Sequence, residues 1–127
     1  MKKLITSLAT LLFAVSVFAG EFPDITIKEV KGLTVSKKAV IIDVNGTESY
    51  QKGRVPGALN YEAIQDKLAS ALPADKNTLI VAYCGNPKCT AYKEAAEAAA
   101  KLGYKNVKHM SAGIFGWKQA GEKVESN

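Results

Sequence analysis

The sequence predicts an α/β fold built on a central, mainly parallel sheet flanked by helices, and three observations carry that expectation. Residues 40–44 (Val-Ile-Ile-Asp-Val) and 79–83 (Leu-Ile-Val-Ala-Tyr) are short, nearly continuous apolar runs, with a weaker third run at 107–110. Such runs lack the polar alternation of a half-exposed strand, so they suit strands covered on both faces. Helix-like stretches separate them, which gives the order β-α-β-α-β of a parallel sheet. At 127 residues, 47% of them hydrophobic and 23% charged, the chain has the size and balance of one globular domain.

Taken from the start, Met1-Lys2-Lys3 is followed by an uncharged apolar stretch at 4–18 and then by Val17-Phe18-Ala19, with small residues where a signal peptidase reads. This three-part layout is that of a secretory signal peptide. The stretch is shorter than the about 18 apolar residues a membrane anchor needs, and no Cys near the cut invites lipid attachment. The reading is a cleaved signal at 1–19 and a mature domain at 20–127 with its core near 25–121. That makes the protein periplasmic or secreted, with no stable membrane span. Loss of Lys2 and Lys3 reduces the net charge from +5 to +3. No basic run with interleaved aromatics remains, so nucleic acid is not an expected partner.

Residues 25–30 alternate Ile, Ile and Val with polar neighbours and read as an edge strand. The 40–44 strand closes on Asn45-Gly46. A helix is expected over 61–72, where Ile64, Leu68 and Leu72 share one face and Pro73 ends the run. After the 79–83 strand, an Ala-rich helix is expected over 90–102, with Thr90 as candidate N-cap and Gly103 as its stop. There is no internal repeat, low-complexity tract or interdomain linker.

Sites in such folds gather beyond the carboxyl ends of the strands. Three segments emerge there: Asp43-Val44-Asn45, residues 84–90, and Ser111-Ala112-Gly113. The middle one is the most informative. Cys84 follows a strand directly, and Gly85, Asn86, Pro87, Lys88, Cys89 and Thr90 lead into a helix. A helix N-terminus, unpaired loop amides and the Lys88 charge would each favour the thiolate, the nucleophilic form. The plain alternative is a strand-end Cys that only packs. No His/Cys/Asp cluster has metal-ligand spacing and no Gly-rich phosphate loop occurs, so neither metal nor organic cofactor is expected.

At this point the chain resembles the single-domain rhodanese-like family. Residues 40–44, then Glu48-Ser49-Tyr50, then residues 52–60 (Lys-Gly-Arg-Val-Pro-Gly-Ala-Leu-Asn) are similar to its opening signature. Tyr83-Cys84 is similar to its active-site strand end, and Gly103-Tyr104, Val107 and residues 111–117 to its closing motif. The resemblance implies a three-layer fold and sulfurtransferase chemistry. Cys84, as catalytic residue, would take sulfane sulfur from thiosulfate or a related donor, hold it as a persulfide in a cradle of amides from residues 85–90, and pass it to a thiol, cyanide or a protein sulfur acceptor. Asp43 would support the site loops. The sequence departs from the family pattern at Cys89, where the loop commonly carries Arg or another polar residue, at Arg54, at Asn45 and at Ala112. The spacing from Cys84 to Gly103 is also longer than the common form.

Three roles are open to Cys89. It could resolve the Cys84 persulfide, releasing sulfide and closing a disulfide; it could lock the nucleophile when oxidised; or it could only pack in the first helical turn. Two rivals to a sulfurtransferase therefore stand: a thiol–disulfide redox protein using Cys84 and Cys89, and a non-enzymatic sulfur carrier. Arg54 and Lys88 could draw a small sulfur-containing anion to the site. His109, the single His, reads as a packing residue rather than a general base.

Overall fold

A computed structural model of the chain describes residues 22–127. The expected signal and its cut after Ala19 lie outside the described residues.

Four strands form one sheet in the order β2-β1-β3-β4: β1 (Ala39–Asp43), β2 (Leu59–Asn60), β3 (Leu79–Tyr83) and β4 (Val107–His109). All three ladders are parallel, with Ile41 opposite Val81 and Ala82 opposite His109. The two long apolar runs are continuous because neighbouring residues feed two different cores. Ile42, Ile80 and Ala82 pack on one face beneath Tyr61, Leu68, Tyr92, Ala95, Ala96 and Ala99. Ile41, Val81 and Tyr83 pack on the other beneath Val30, Ile114 and Trp117. These residues belong to α3 (Tyr61–Ile64), α4 (Leu68–Ala71) and α5 (Tyr92–Lys101) on the first face, and to α1 (Ile27–Ser36) and α6 (Gly113–Gln119) on the second. The α/β class and the parallel sheet are as the sequence predicts. A short α2 (Thr47–Lys52) follows β1.

Three expectations need correction. Residues 25–30 are not an edge strand: Asp24 makes one isolated bridge to His109, and α1 begins two residues after Ile25. The cause is a capping box, in which Thr26 Oγ1 accepts from the Glu29 amide at 3.1 Å and Glu29 Oε1 accepts from the Thr26 amide at 3.0 Å. The expected helix over 61–72 is two single turns joined by a 3-10 turn (Gln65–Lys67). Leu68 and Leu72 still bury at their expected spacing, but the backbone leaves helical geometry at Lys67. The helix expected from Thr90 begins at Tyr92, with Ala91 at the cap position and no side-chain capping bond, so Thr90 is not an N-cap. Gly103 does end α5, at φ +100°.

The order of the strands decides where a site can form. β1 is followed in space by β2 on one side and by β3 on the other, so the loops leaving β1 and β3 diverge. A crevice at that switch point is where ligands bind in open α/β sheets.

Candidate active site

Cys84 stands one residue past β3, at the switch point, and is 2% exposed. Its carbonyl accepts from the Ile114 amide at 2.9 Å, and the Gly85 carbonyl accepts from Phe115 at 3.0 Å. The first turn of α6 therefore ties down the start of the loop with amides that would otherwise have no intrahelical partner. This anchoring depends on Gly113. It sits at φ +68°, and a Cβ there would lie 2.4 Å from the Gly85 carbonyl oxygen.

The loop over 85–90 is organised largely by its own second residue. The Asn86 side-chain oxygen accepts from the Lys88 amide at 2.9 Å, and the Asn86 carbonyl accepts from the Cys89 amide at 3.0 Å. Those two amides are engaged by Asn86 in this form. Asn86, Pro87, Lys88 and Thr90 are exposed, so the Lys88 charge is largely solvated. Cys89 is half-buried and joined to Cys84 by a disulfide, with Cα atoms 6.3 Å apart. In this form neither sulfur is a thiolate.

Asp43, at the end of β1, is fully buried. Its Oδ2 accepts from the Tyr83 hydroxyl at 2.6 Å and its Oδ1 from the Asn45 amide at 2.8 Å. The Tyr83 oxygen in turn accepts from the Val55 amide at 3.0 Å. Burial pushes the Asp43 carboxyl above its ordinary value, opposed by these hydrogen bonds and more weakly by the Arg54 charge. Burial and the neighbouring Asp43 push the Tyr83 phenol far upward, which keeps it a donor. The result is a buried brace that joins the ends of β1 and β3 to the segment before β2, and Cys84 is the next residue in the chain after Tyr83.

Arg54 does not join the Cys84 loop. Its Nη1 donates to the Tyr50 carbonyl at 3.0 Å, its guanidinium lies 4.3 Å from the Tyr50 ring centroid, and its Nε is 3.9 Å from Glu125. Asn45 comes closer: its Oδ1 is 3.7 Å from the place a Gly85 Cβ would occupy, and its buried Nδ2 has no hydrogen-bond partner among the described residues.

Sequence reading missed the surroundings of Cys89. A shallow pocket of about 350 Å³ opens there, lined by Phe22, Pro87, Cys89, Thr90, Tyr92, Lys93 and His109. Tyr92 and His109 stack with ring centroids 3.4 Å apart, and Phe22 meets Tyr92 edge-on at 6.4 Å. Burial lowers the His109 pKa, with Asp24 opposing and Lys93 assisting. Among the described residues no group of three or more His, Cys, Asp or Glu is placed to hold a metal ion, and no helix is long and apolar enough to cross a membrane.

Comparison with known proteins agrees with this layout. The family model described as Rhodanese-like domain matches residues 26–120. The chain is 34% identical over 90 residues to the HTH-type transcriptional regulator Rv0324 of Mycobacterium tuberculosis, covering 69% of this chain and 38% of that protein. It is 33% identical over 70 residues to the thiosulfate sulfurtransferase PspE of Escherichia coli, covering 54% of this chain and 64% of that one. The chain thus spans less than two thirds of either relative. Among solved structures, a thiosulfate sulfurtransferase from Pseudomonas aeruginosa matches with a TM-score of 0.68 at 23% identity, over 83% of this chain and 20% of that chain. That last likeness is one of fold.

Proposed function

The chain belongs to the rhodanese-like family, a sulfurtransferase family, and we propose that it transfers sulfane sulfur through a persulfide on Cys84. The observation that supports this most is the position of Cys84: it follows the central strand β3 at the switch point, its carbonyl is held by α6, and the residue before it, Tyr83, is braced to Asp43 at the end of β1. The reduced Cys84 thiolate attacks the outer sulfur of thiosulfate. The S–S bond of thiosulfate breaks, sulfite leaves with the electron pair, and Cys84 keeps the outer sulfur as a persulfide. An acceptor thiolate or cyanide then takes that sulfur and restores the thiolate. Neither step needs a metal or organic cofactor, because the thiolate is the nucleophile and sulfite is a stable leaving group. The partners are a small sulfur-containing anion and a thiol acceptor, a protein acceptor included. An exported, periplasmic or secreted location would expose both cysteines to disulfide-forming conditions.

One observation favours a second reading. The Cys84–Cys89 disulfide is what a thiol–disulfide redox protein would cycle. The two readings part in one experiment. The reduced chain is exposed to thiosulfate, its intact mass recorded, and any adduct mapped by digestion. The sulfurtransferase reading expects one added sulfur on Cys84, retained in Cys89→Ser and lost in Cys84→Ser. A reduced Cys89→Ser chain that takes up no sulfur would sink it and leave the redox reading.

A further inference from the structure

The two sulfurs of the disulfide differ in access. Cys84 is 2% exposed, belongs to the same buried core as Ile42 and Ala82, and does not line the pocket described above. Cys89 is half-buried and forms part of the pocket wall. A nucleophile from solvent therefore meets Cys89 first. At about 350 Å³ the pocket falls at the lower end of the range of small-molecule sites, roughly 300–1,000 Å³. Its walls carry one formal cation, Lys93, and no carboxylate, while Phe22, Tyr92 and the stacked His109 provide flat apolar surface. Asp24, the acid whose charge acts on His109, already accepts from the Ser111 amide at 2.9 Å.

From this arrangement we propose that the pocket formed by Phe22, Pro87, Tyr92, Lys93 and His109 around Cys89 is the docking site of a small anionic thiol that opens the disulfide at Cys89. The thiolate sulfur bonds to Cys89 Sγ, the Cys84–Cys89 bond breaks, and Cys84 leaves as a thiolate carrying the electron pair. A second thiol then attacks the mixed disulfide and frees Cys89. In all, two thiols are oxidised to one disulfide and the cysteine pair is reduced by two electrons. The order matters chemically, since the first product is a free Cys84 thiolate with Cys89 still masked. What that thiolate does next rests on the sulfurtransferase reading; the opening step itself does not.

The test uses the oxidised full chain and glutathione as the anionic thiol. Samples quenched in acid, alkylated and digested locate glutathione and alkyl group separately. Glutathione on Cys89 with the alkyl group on Cys84 is the expected result. Glutathione on Cys84, or divided evenly between the two, overturns the proposal. Lys93→Gln tests the pocket: opening by glutathione should slow about three- to tenfold while opening by neutral 2-mercaptoethanol changes less than about twofold, as loss of a steering charge implies. Slowing of both thiols alike, or of neither, rejects the pocket as the site. Lys93→Arg should restore the glutathione rate. A chain whose disulfide opens in this order but which, once reduced, takes no sulfur from thiosulfate would count against the sulfurtransferase reading alone.

Discussion

Replacing Tyr83 by Phe removes one oxygen from the brace at the ends of β1 and β3 and leaves the ring in place, so no cavity opens. Tyr83 and Asp43 are both fully buried. The lost hydroxyl leaves Asp43 Oδ2 without its donor at 2.6 Å and the Val55 amide without its acceptor at 3.0 Å. Each orphaned buried group costs about 1–3 kcal/mol, more where it is charged, so the two together cost about 3–5 kcal/mol near neutral pH. The cost depends on pH with a definite sign. Burial already raises the Asp43 pKa above 3.8, and the Tyr83 bond holds it down. A carboxyl whose folded pKa is raised contributes stability at low pH and loses that contribution as pH rises through the folded value. Tyr83→Phe removes the bond that holds the pKa down, so the variant goes on losing stability to higher pH than the parent. The difference in stability should therefore be largest near neutrality and shrink on acidification. Urea unfolding of both chains, oxidised, at pH 7 and pH 5 measures it. A gap below about 1 kcal/mol at pH 7, set against the lower bound for one orphaned group, would refute the argument. So would a gap that widens in acid.

Two further outcomes follow from local geometry. Gly113→Ala should destabilise by about 2–4 kcal/mol, combining left-handed strain with a Cβ pressed against the Gly85 carbonyl. Gly57→Ala, at φ +81° with open space around it, should cost only the strain; equal losses in urea unfolding would count against the Gly113–Gly85 contact. His109, whose pKa burial lowers, holds its neutral form in the fold, so its contribution to stability is present above its ordinary value of 6.5 and fades as pH falls through the lowered one. His109→Phe keeps a flat ring on Tyr92 and should flatten the loss of stability between pH 7 and 5; an unchanged slope would show that His109 does not set it.

The strands were legible because burial on both faces leaves a mark in sequence that no partner is needed to see: Ile41 and Ile42 are both apolar although they face different cores. β2 is two residues long and carries no periodicity to read. α1 was hidden because Ile25 and Ile27 alternate as in a strand, whereas the helix shows only in the three-residue spacing of Ile27 and Val30 and in the Thr26–Glu29 capping pair. α6 contains Gly113 and Gly116, poor helix formers, and owes its place to burial of Ile114 and Trp117 and to its amides on Cys84 and Gly85. At the site, Cys84 and its loop stand out through local punctuation. Asp43 and Tyr83 are 40 positions apart, and Phe22 and His109 further still, so neither the brace nor the pocket has a local signature.

The loop disulfide constrains only a short ring, and chain entropy for closing so few residues comes to about 2 kcal/mol. Its chemical consequence is larger, because a sulfur held in a disulfide is no nucleophile and Cys84 has little contact with solvent. Cys89 precedes α5 by three positions, so it does not pack in the first helical turn. Two of its three open roles survive that placement, and both end in the bond seen here. They differ in the atom that departs. If Cys89 attacks a loaded Cys84, sulfide leaves as the ring closes; if an outside oxidant joins two free thiols, no sulfur leaves. Reopening at Cys89 serves both, since in either case it is Cys84 that emerges first as thiolate, at the end of β3, where the first turn of α6 already holds its carbonyl.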